Sequence, residues 1–94
     1  MNNVNSVLVE SFVYSSKQRY FILANTRYVG GLMSITSYFK VKNTRNKRPA
    51  IGTHLRVSGF LESTPNGGNV YIMPDRMEKY NGETWDWVGD EAGA

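Results

Sequence analysis

The strongest structural signal in the chain is LMSITSYFKVK, which occupies residues 32–42. Its alternate residues Met33, Ile35, Phe39 and Val41 fall on one face, and the residues between them, mostly polar or charged, fall on the other. Successive side chains point to opposite faces of a β-strand, so a period of two is typical of a strand with one buried face. The segment therefore predicts a half-buried antiparallel strand.

Four other segments also predict β-strands, because Val, Ile, Tyr, Phe and Thr dominate them and turn residues separate them. They cover residues 6–14, 19–27, 53–62 and 70–80. Gly30-Gly31 predicts a tight turn, and residues 64–69, TPNGGN, predict a hairpin turn. Pro74 predicts a bulge or an edge position in the last segment, because proline cannot donate a ladder hydrogen bond.

Five strands in residues 1–80 predict a single all-β domain, a five-stranded antiparallel barrel of the OB-fold type. An SH3-like barrel is the main alternative on the same pattern. Residues 81–94 form the second predicted unit, a short acidic C-terminal tail. Alternation along the strands predicts the following core residues: Val7, Val9, Val13, Phe21, Leu23, Met33, Ile35, Phe39, Leu55, Val57, Leu61, Ile72 and Met77.

The charged residues are distributed unevenly along the chain. Residues 1–80 contain all 11 Lys and Arg but only four of the 8 acids, whereas residues 81–94 contain the other four acids and no cation. A basic body followed by an acidic tail indicates that the body has a polyanionic partner.

Several classes of function are disfavoured by the residues that the chain lacks. It has no cysteine, a single histidine at position 54 and carboxylates without a catalytic or metal-binding spacing. Its Gly-Gly pairs are not followed by the lysine of a phosphate-binding loop. We therefore expect no enzymatic activity, no metal and no cofactor.

The chain also contains no apolar run of about 18 residues, so no membrane span and no membrane partner are expected. Its first residues, MNNVNS, lack the charged and apolar regions of a signal peptide. A cytoplasmic protein is expected on this basis.

Five cations within nine residues form the first candidate binding feature. They are Lys40, Lys42, Arg45, Lys47 and Arg48. Cations at this density neutralise phosphates and release counterions, which gives binding that weakens with salt. The alternative is a solvated loop that keeps the protein soluble.

Aromatic side chains at outward-facing strand positions form the second candidate feature. They are Tyr20, Tyr38, Phe60 and Tyr71, with Phe12, Tyr14 and Tyr28 as additions. Exposed aromatic rings interleaved with cations are what the stacking of unpaired bases requires. The alternative is that some of these rings close a second small core or a dimer interface.

Two arginines and two tryptophans complete the candidate residues. Arg56 shares the outward face with Phe60, so it is expected to contact phosphate, to stack, or to pair across strands with an acid such as Glu62. Arg27, beside Tyr28, is a similar candidate. Trp85 and Trp87 either dock on a partner, fold over the basic face, or pack on the barrel as a last strand fragment, which is the favoured interpretation.

A family resemblance is carried mainly by residues 51–61, IGTHLRVSGFL, which resemble the strand written K-G-s-x-v-x-V-x-G-x-L in bacterial single-stranded DNA-binding proteins. Residues 5–9, 21–25 and 70–78 are similar, in order, to the first, second and last strands of that family and of the related primosomal PriB type. The family usually has a helix between its third and fourth strands. Here the connection is short and basic and contains Pro49, so we expect that helix to be missing.

The residues thus predict a protein that binds single-stranded nucleic acid with little sequence preference. The resemblance implies DNA as the ligand and a role in replication or recombination. A homo-oligomer is also expected. Replication proteins are further candidate partners of the acidic tail on the basis of its charge, but the resemblance does not imply them, because the tail ends DEAGA and lacks the acidic tip with phenylalanine of that family. RNA stays open as a ligand, and a cold-shock-like RNA-binding barrel is a lesser alternative. The runner-up function is that of an OB-fold interaction subunit in a primosome or helicase complex.

Overall fold

A computed structural model describes residues 5–45 and 47–88 of the chain. These residues form six β-strands and no helix: β1 Val7–Ser16, β2 Tyr20–Gly30, β3 Met33–Lys42, β4 His54–Ser63, β5 Val70–Tyr80 and β6 Trp85–Trp87. The described part of the connection between β3 and β4 therefore lacks the helix of the resembled family, as expected. The described residues include no helix that could span a membrane.

The first five strands close into a barrel. Their order is β3-β2-β1-β4-β5, and β5 returns to pair with β3 at Val41 and Ile72. The predicted all-β barrel of five strands is confirmed. The prediction that it is purely antiparallel is wrong, because β3 and β5 run parallel. A closed ring with an odd number of strands cannot alternate direction throughout, so at least one neighbouring pair has to be parallel.

The barrel interior is filled by the inward residues of all five strands. Its buried cluster consists of Val13, Phe21, Leu23, Val41, Leu55, Val57, Ile72 and Met77, with Val7, Val9 and Phe39 partly buried against it. Ten of the predicted core residues are thus confirmed, and Val41, on the same predicted face as Phe39, joins them. Burial of these aliphatic and aromatic side chains is the main source of the barrel's stability.

Three predicted core residues are exposed instead: Met33, Ile35 and Leu61 are 67%, 45% and 42% accessible. β1 pairs with β2 only as far as Ala24, so the distal parts of β2 and β3 form a two-stranded arm that no other described strand covers. Leu61 lies beyond the last residue of β4 that pairs with β1, which is Gly59. Alternation identifies which face a residue is on, but a face is buried only where other strands cover it.

A β-bulge confirms the prediction made from Pro74. The β4–β5 register passes from Ser58 opposite Arg76 to Gly59 opposite Pro74, which leaves Asp75 without a partner. At this point the two backbones come so close that a Cβ atom on Gly59 would lie 2.1 Å from the carbonyl oxygen of Met73. Only glycine therefore fits at position 59.

The beginning of the predicted tail adds β6 to the edge of β5. Trp85 lies opposite Tyr80 and Trp87 opposite Glu78, so the favoured interpretation of a last strand fragment is confirmed. The Arg56 guanidinium lies 4.3 Å from the centre of the Trp85 ring, and the Arg76 guanidinium lies 4.4 Å from that of Trp87. The acidic positions 90 and 91 of the predicted tail lie outside the described residues.

Candidate nucleic-acid interface

The outer surface of β2 and β3 carries tyrosines and lysines side by side. Because Phe39 and Val41 face the core, the residues between and beside them face out, and the strand register places Tyr20 opposite Lys42 and Ala24 opposite Tyr38. We call this surface the tyrosine face. It is formed by Tyr14, Tyr20, Tyr38, Lys40, Lys42 and Tyr71.

The tyrosine face contains two aromatic pairs. The rings of Tyr14 and Tyr38 are 5.1 Å apart between centroids and tilted by 59°, and both side chains are more than half exposed. Tyr20 forms the second pair with Tyr71, 5.5 Å away, and the Nζ of Lys40 lies 4.4 Å from the centre of the Tyr20 ring. The face thus combines open rings with a cation, the combination that binds unpaired bases and their phosphates.

Tyr14 reaches this surface from β1. The β1–β2 register shifts between Val13 and Ser15, so Tyr14 is the unpaired residue of a bulge, and such bulges commonly re-aim a side chain. The sequence contains a signal for this residue, because alternation with the buried Ser11 and Val13 already turns Tyr14 outward. The close approach of Tyr14 to Tyr38 depends on the strand register, which the sequence pattern does not give.

Tyr71 was expected to be an exposed stacking platform, but the structure shows it buried. Its side chain is only 9% accessible, its ring packs edge-on against Tyr20, and its hydroxyl donates a hydrogen bond to Glu62 Oε1 at 3.0 Å. That hydrogen bond, together with burial, raises the pKa of the Tyr71 hydroxyl. Tyr71 therefore acts as a support beneath Tyr20.

Three other predicted residues lie away from the tyrosine face. Phe60 is on β4 opposite Met73, with 37% of its surface accessible, and Arg27 is exposed on the two-stranded arm. Arg56 makes a cross-strand ion pair, but its partner is Glu78 and not Glu62, with 3.0 Å between Nε and Oε1. Arg56 is also stacked on Trp85, so its guanidinium group already has two partners within the protein.

The remaining predicted cations lie in the connection between β3 and β4. The Asn43 side chain holds this connection by donating to the backbone oxygens of Gln18 and Lys47 and by accepting from the backbone N–H of Arg45. Arg45, Lys47 and Arg48 then border a cleft of about 380 Å³ at one end of the barrel, which we call the end cleft. A second cleft, which we call the connecting cleft, is lined by Tyr20, Lys42 and Arg45 among others, and it shares Asn43 and Arg45 with the end cleft.

Three of the described acids contact partners on β1, β4 and β5, whereas Glu62 borders the tyrosine face through its hydrogen bond with Tyr71. Residues 11–61 contain no Asp or Glu but nine Lys or Arg. Glu10 contacts His54, Glu78 contacts Arg56 and Arg76, and Asp75 accepts from Ser58, all on β1, β4 and β5. Among the described residues, Lys40 and Lys42 form no ion pair. Their charges are therefore available to an anionic ligand.

His54 lies in an aromatic cluster that was not predicted from the sequence. Its ring stacks on Phe12 at 4.5 Å between centroids and meets Trp85 at 5.0 Å and Tyr80 at 5.5 Å edge-on. Its Nε2 lies 3.1 Å from Glu10 Oε2. This cluster joins β1, β4, β5 and β6 on the outer surface, so we assign it a structural role in holding β6. Among the residues that the structure describes, no group of three His, Asp or Glu is placed to bind a metal.

The Arg56–Glu78 pair makes stability depend on pH in a predictable direction. The hydrogen bond from Arg56 holds the pKa of the Glu78 carboxyl below its ordinary value, with smaller help from Arg76. A carboxyl with a lowered folded-state pKa contributes stability above its ordinary pKa and loses it as the pH falls through the folded-state pKa. We expect Glu78→Gln to lower the thermal midpoint at pH 7 by a few degrees and to have no effect in strong acid.

Thermal unfolding of both proteins across pH 2–7 tests this expectation about Glu78. The matched control is Glu83→Gln, because Glu83 is exposed and forms no ion pair with any other described residue. A midpoint difference for Glu78→Gln that stays constant with pH would contradict the electrostatic explanation.

The chain matches no protein-family model, and a search of curated proteins also gives no match.

Proposed function

We propose that this chain is an OB-fold protein that binds single-stranded DNA on its tyrosine face, in replication or recombination. The observation that carries the proposal is the row of aromatic rings and cations in which Lys40 lies over Tyr20 and the exposed rings of Tyr14 and Tyr38 meet. The closed five-stranded barrel supports it, because OB-folds bind oligonucleotides on the surface of their second and third strands.

The spacing along β3 suits an extended strand of nucleic acid. Tyr38 and the position opposite Tyr20 are four residues apart, or roughly 14 Å along a β-strand. Lys40 lies between them, where it can reach a phosphate while bases stack on the rings to either side. Stacking on an aromatic side chain contributes about 1–3 kcal/mol per base and accepts every base, so little sequence preference is expected along this face.

A second function is favoured by the exposed arm of β2 and β3. Tyr28 is 80% accessible, Met33 67%, and Leu32 at the turn is fully exposed. Large apolar side chains exposed together are typical of interaction surfaces. They fit the expected homo-oligomer and also the alternative of an interaction subunit in a primosome or helicase complex. Recruitment of replication proteins through the acidic tail stays a prediction.

The proposed function is tested by fluorescence anisotropy with a labelled oligo-dT strand, an oligo-U strand and a matched duplex, each at two salt concentrations. We expect tight binding to oligo-dT, weak binding to the duplex, and a logarithmic salt slope of about −0.7 for each phosphate contacted. Tighter binding to oligo-U would assign RNA as the ligand. No binding to either strand at low salt would contradict the proposal and favour the interaction subunit.

A further inference from the structure

We propose that the end cleft holds one unstacked base of the strand that lies on the tyrosine face, with its phosphate on Arg45. This inference rests on the proposed function and adds to it a second kind of contact between the protein and the nucleic-acid strand. A base on the tyrosine face stacks on an exposed ring, whereas a base in the end cleft lies among side chains from several strands and from the β3–β4 connection. The protein would then read one nucleotide by shape and hydrogen bonding while tolerating any base at its neighbours.

Continuity between the two surfaces is the first argument. Lys42 lies opposite Tyr20 at the end of the tyrosine face, and both residues line the connecting cleft together with Arg45. Arg45 and Asn43 line the end cleft as well. A strand that leaves Tyr20 along these side chains therefore passes the cations Lys42 and Arg45 before it reaches the end cleft.

The composition of the end cleft is the second argument. Its floor is apolar and belongs to the core, since Phe21, Leu55 and Met77 all line it. Four cations and a single acid line it as well, namely Arg45, Lys47, Arg48, Lys79 and Asp86. An apolar floor with a cationic border complements a ligand that is flat and apolar at one end and anionic at the other, as a nucleotide is. The cleft volume of about 380 Å³ is within the range of small-molecule sites.

Arg45 supplies the third argument. Its Nε is buried in the described structure without a hydrogen-bond acceptor. Buried donors are almost always satisfied by the protein, by water or by a ligand. A phosphate oxygen is the acceptor that a guanidinium binds best, and Arg45 lies where the connecting cleft and the end cleft meet.

A single nucleotide is favoured over an acidic peptide as the occupant. Both would satisfy the cations, but only the nucleic-acid strand is brought to the cleft by contacts that begin on the tyrosine face. Thr53 also lines the cleft, and its hydroxyl group is able to hydrogen-bond with the edge of a base.

The test fills the end cleft without disturbing the core. Ala50 is exposed and lines the cleft, so Ala50→Trp places an indole where the base would lie. The matched control is Ile51→Trp, because Ile51 is the next residue, is 70% accessible, and is not part of the cleft lining. NMR signals of the Met77 methyl and the Trp87 indole report on the cleft, and those of the Tyr38 ring report on the tyrosine face. Equal thermal midpoints of the three proteins establish that each is folded.

Titration of the whole chain with oligo-dT is expected to shift the Met77 and Tyr38 signals together. In Ala50→Trp the Met77 shift should disappear and the affinity should fall about tenfold, because the contacts of one base are lost, while the Tyr38 shift remains. Ile51→Trp should behave as the wild type. A Tyr38 shift without a Met77 shift, or an unchanged affinity in Ala50→Trp, would overturn the inference and leave the proposed function standing.

If oligo-dT binds nowhere, the proposed function fails, and thymidine 5′-monophosphate at millimolar concentration tests the end cleft by itself. A Met77 shift that Ala50→Trp abolishes would then support a nucleotide site, and the absence of a shift would overturn it. A peptide of Asp and Glu residues with one aromatic residue is titrated in parallel. A stronger Met77 shift with this peptide than with the nucleotide would overturn the inference in favour of a protein partner.

Discussion

Gly59→Ala is expected to lower the free energy of unfolding by about 3 kcal/mol, the upper end of the usual effect of overpacking. The new Cβ would lie 2.1 Å from the Met73 carbonyl oxygen and 2.9 Å from the Cα of Pro74. These are backbone atoms of the bulge, so no rotation of a side chain can relieve the contact. For a domain of this size the thermal midpoint should fall by roughly 12–24 °C.

The matched control for this prediction is Gly68→Ala in the β4–β5 turn. A Cβ at Gly68 meets only the side chain of Asn66, at 3.3 Å from Oδ1, and that side chain can move. Its expected effect on the thermal midpoint is within a few degrees. Calorimetry on the three proteins measures both effects, and a Gly59→Ala protein as stable as Gly68→Ala would show that the bulge does not hold β4 and β5 this close.

The strands and most of the core follow from the sequence because alternation is a local property. Phe39 and Val41 face inward for the same reason that Tyr38 and Lys40 face outward, and neither assignment requires knowledge of another strand. The bulge at Pro74 is local in the same sense, since proline itself removes the ladder donor. These features could be predicted from the residues of one segment at a time.

Features that depend on pairing between distant segments were not predictable in this way. The contact of Phe12 with His54 requires the β1–β4 register, and the contact of Arg56 with Glu78 requires the β4–β5 register. Met33 is exposed because β1 pairs with β2 only as far as Ala24, which is a matter of the register between the two strands. Tyr71 is buried because β5 returns beside β3 and brings it against Tyr20. In each case the side chain's direction was predictable and its neighbours were not.

The candidate interface shows the same difference between what one strand predicts and what depends on several strands. Lys40, Lys42 and Tyr38 share one face of one strand, so the sequence groups them correctly. Arg56 was grouped with them on the strength of an outward direction, but outward directions on different strands of a closed barrel point to different sides. Charge pairing separates the two groups, because Arg56 has a carboxylate partner on β5, whereas Lys40 and Lys42 have none among the described residues.

Simultaneous change of Lys40, Lys42 and Arg45 to alanine is expected to weaken binding to oligo-dT by about 100-fold at 0.1 M salt. Each lost phosphate contact reduces the logarithmic salt slope by about 0.7, so the loss of three contacts should make the slope less steep by about 2. At about 0.1 M salt, relative to about 1 M, this difference in slope corresponds to about two powers of ten in affinity. All three side chains are only partly buried and none belongs to the core, so the thermal midpoint should be nearly unchanged.

The control for this triple variant removes cations from the other side of the barrel. Arg56→Ala with Arg76→Ala deletes two charges that already pair with Glu78, and we expect the wild-type salt slope together with a lower thermal midpoint. The triple variant is thus expected to change binding and not stability, and the double variant to change stability and not binding. If the triple variant keeps the wild-type slope, the phosphates are not on the tyrosine face. If the salt slope of the double variant becomes less steep instead, the nucleic-acid strand lies along the tryptophans of β6. In that case Arg56 and Arg76 exchange their contacts with Glu78 for contacts with phosphates when the strand binds.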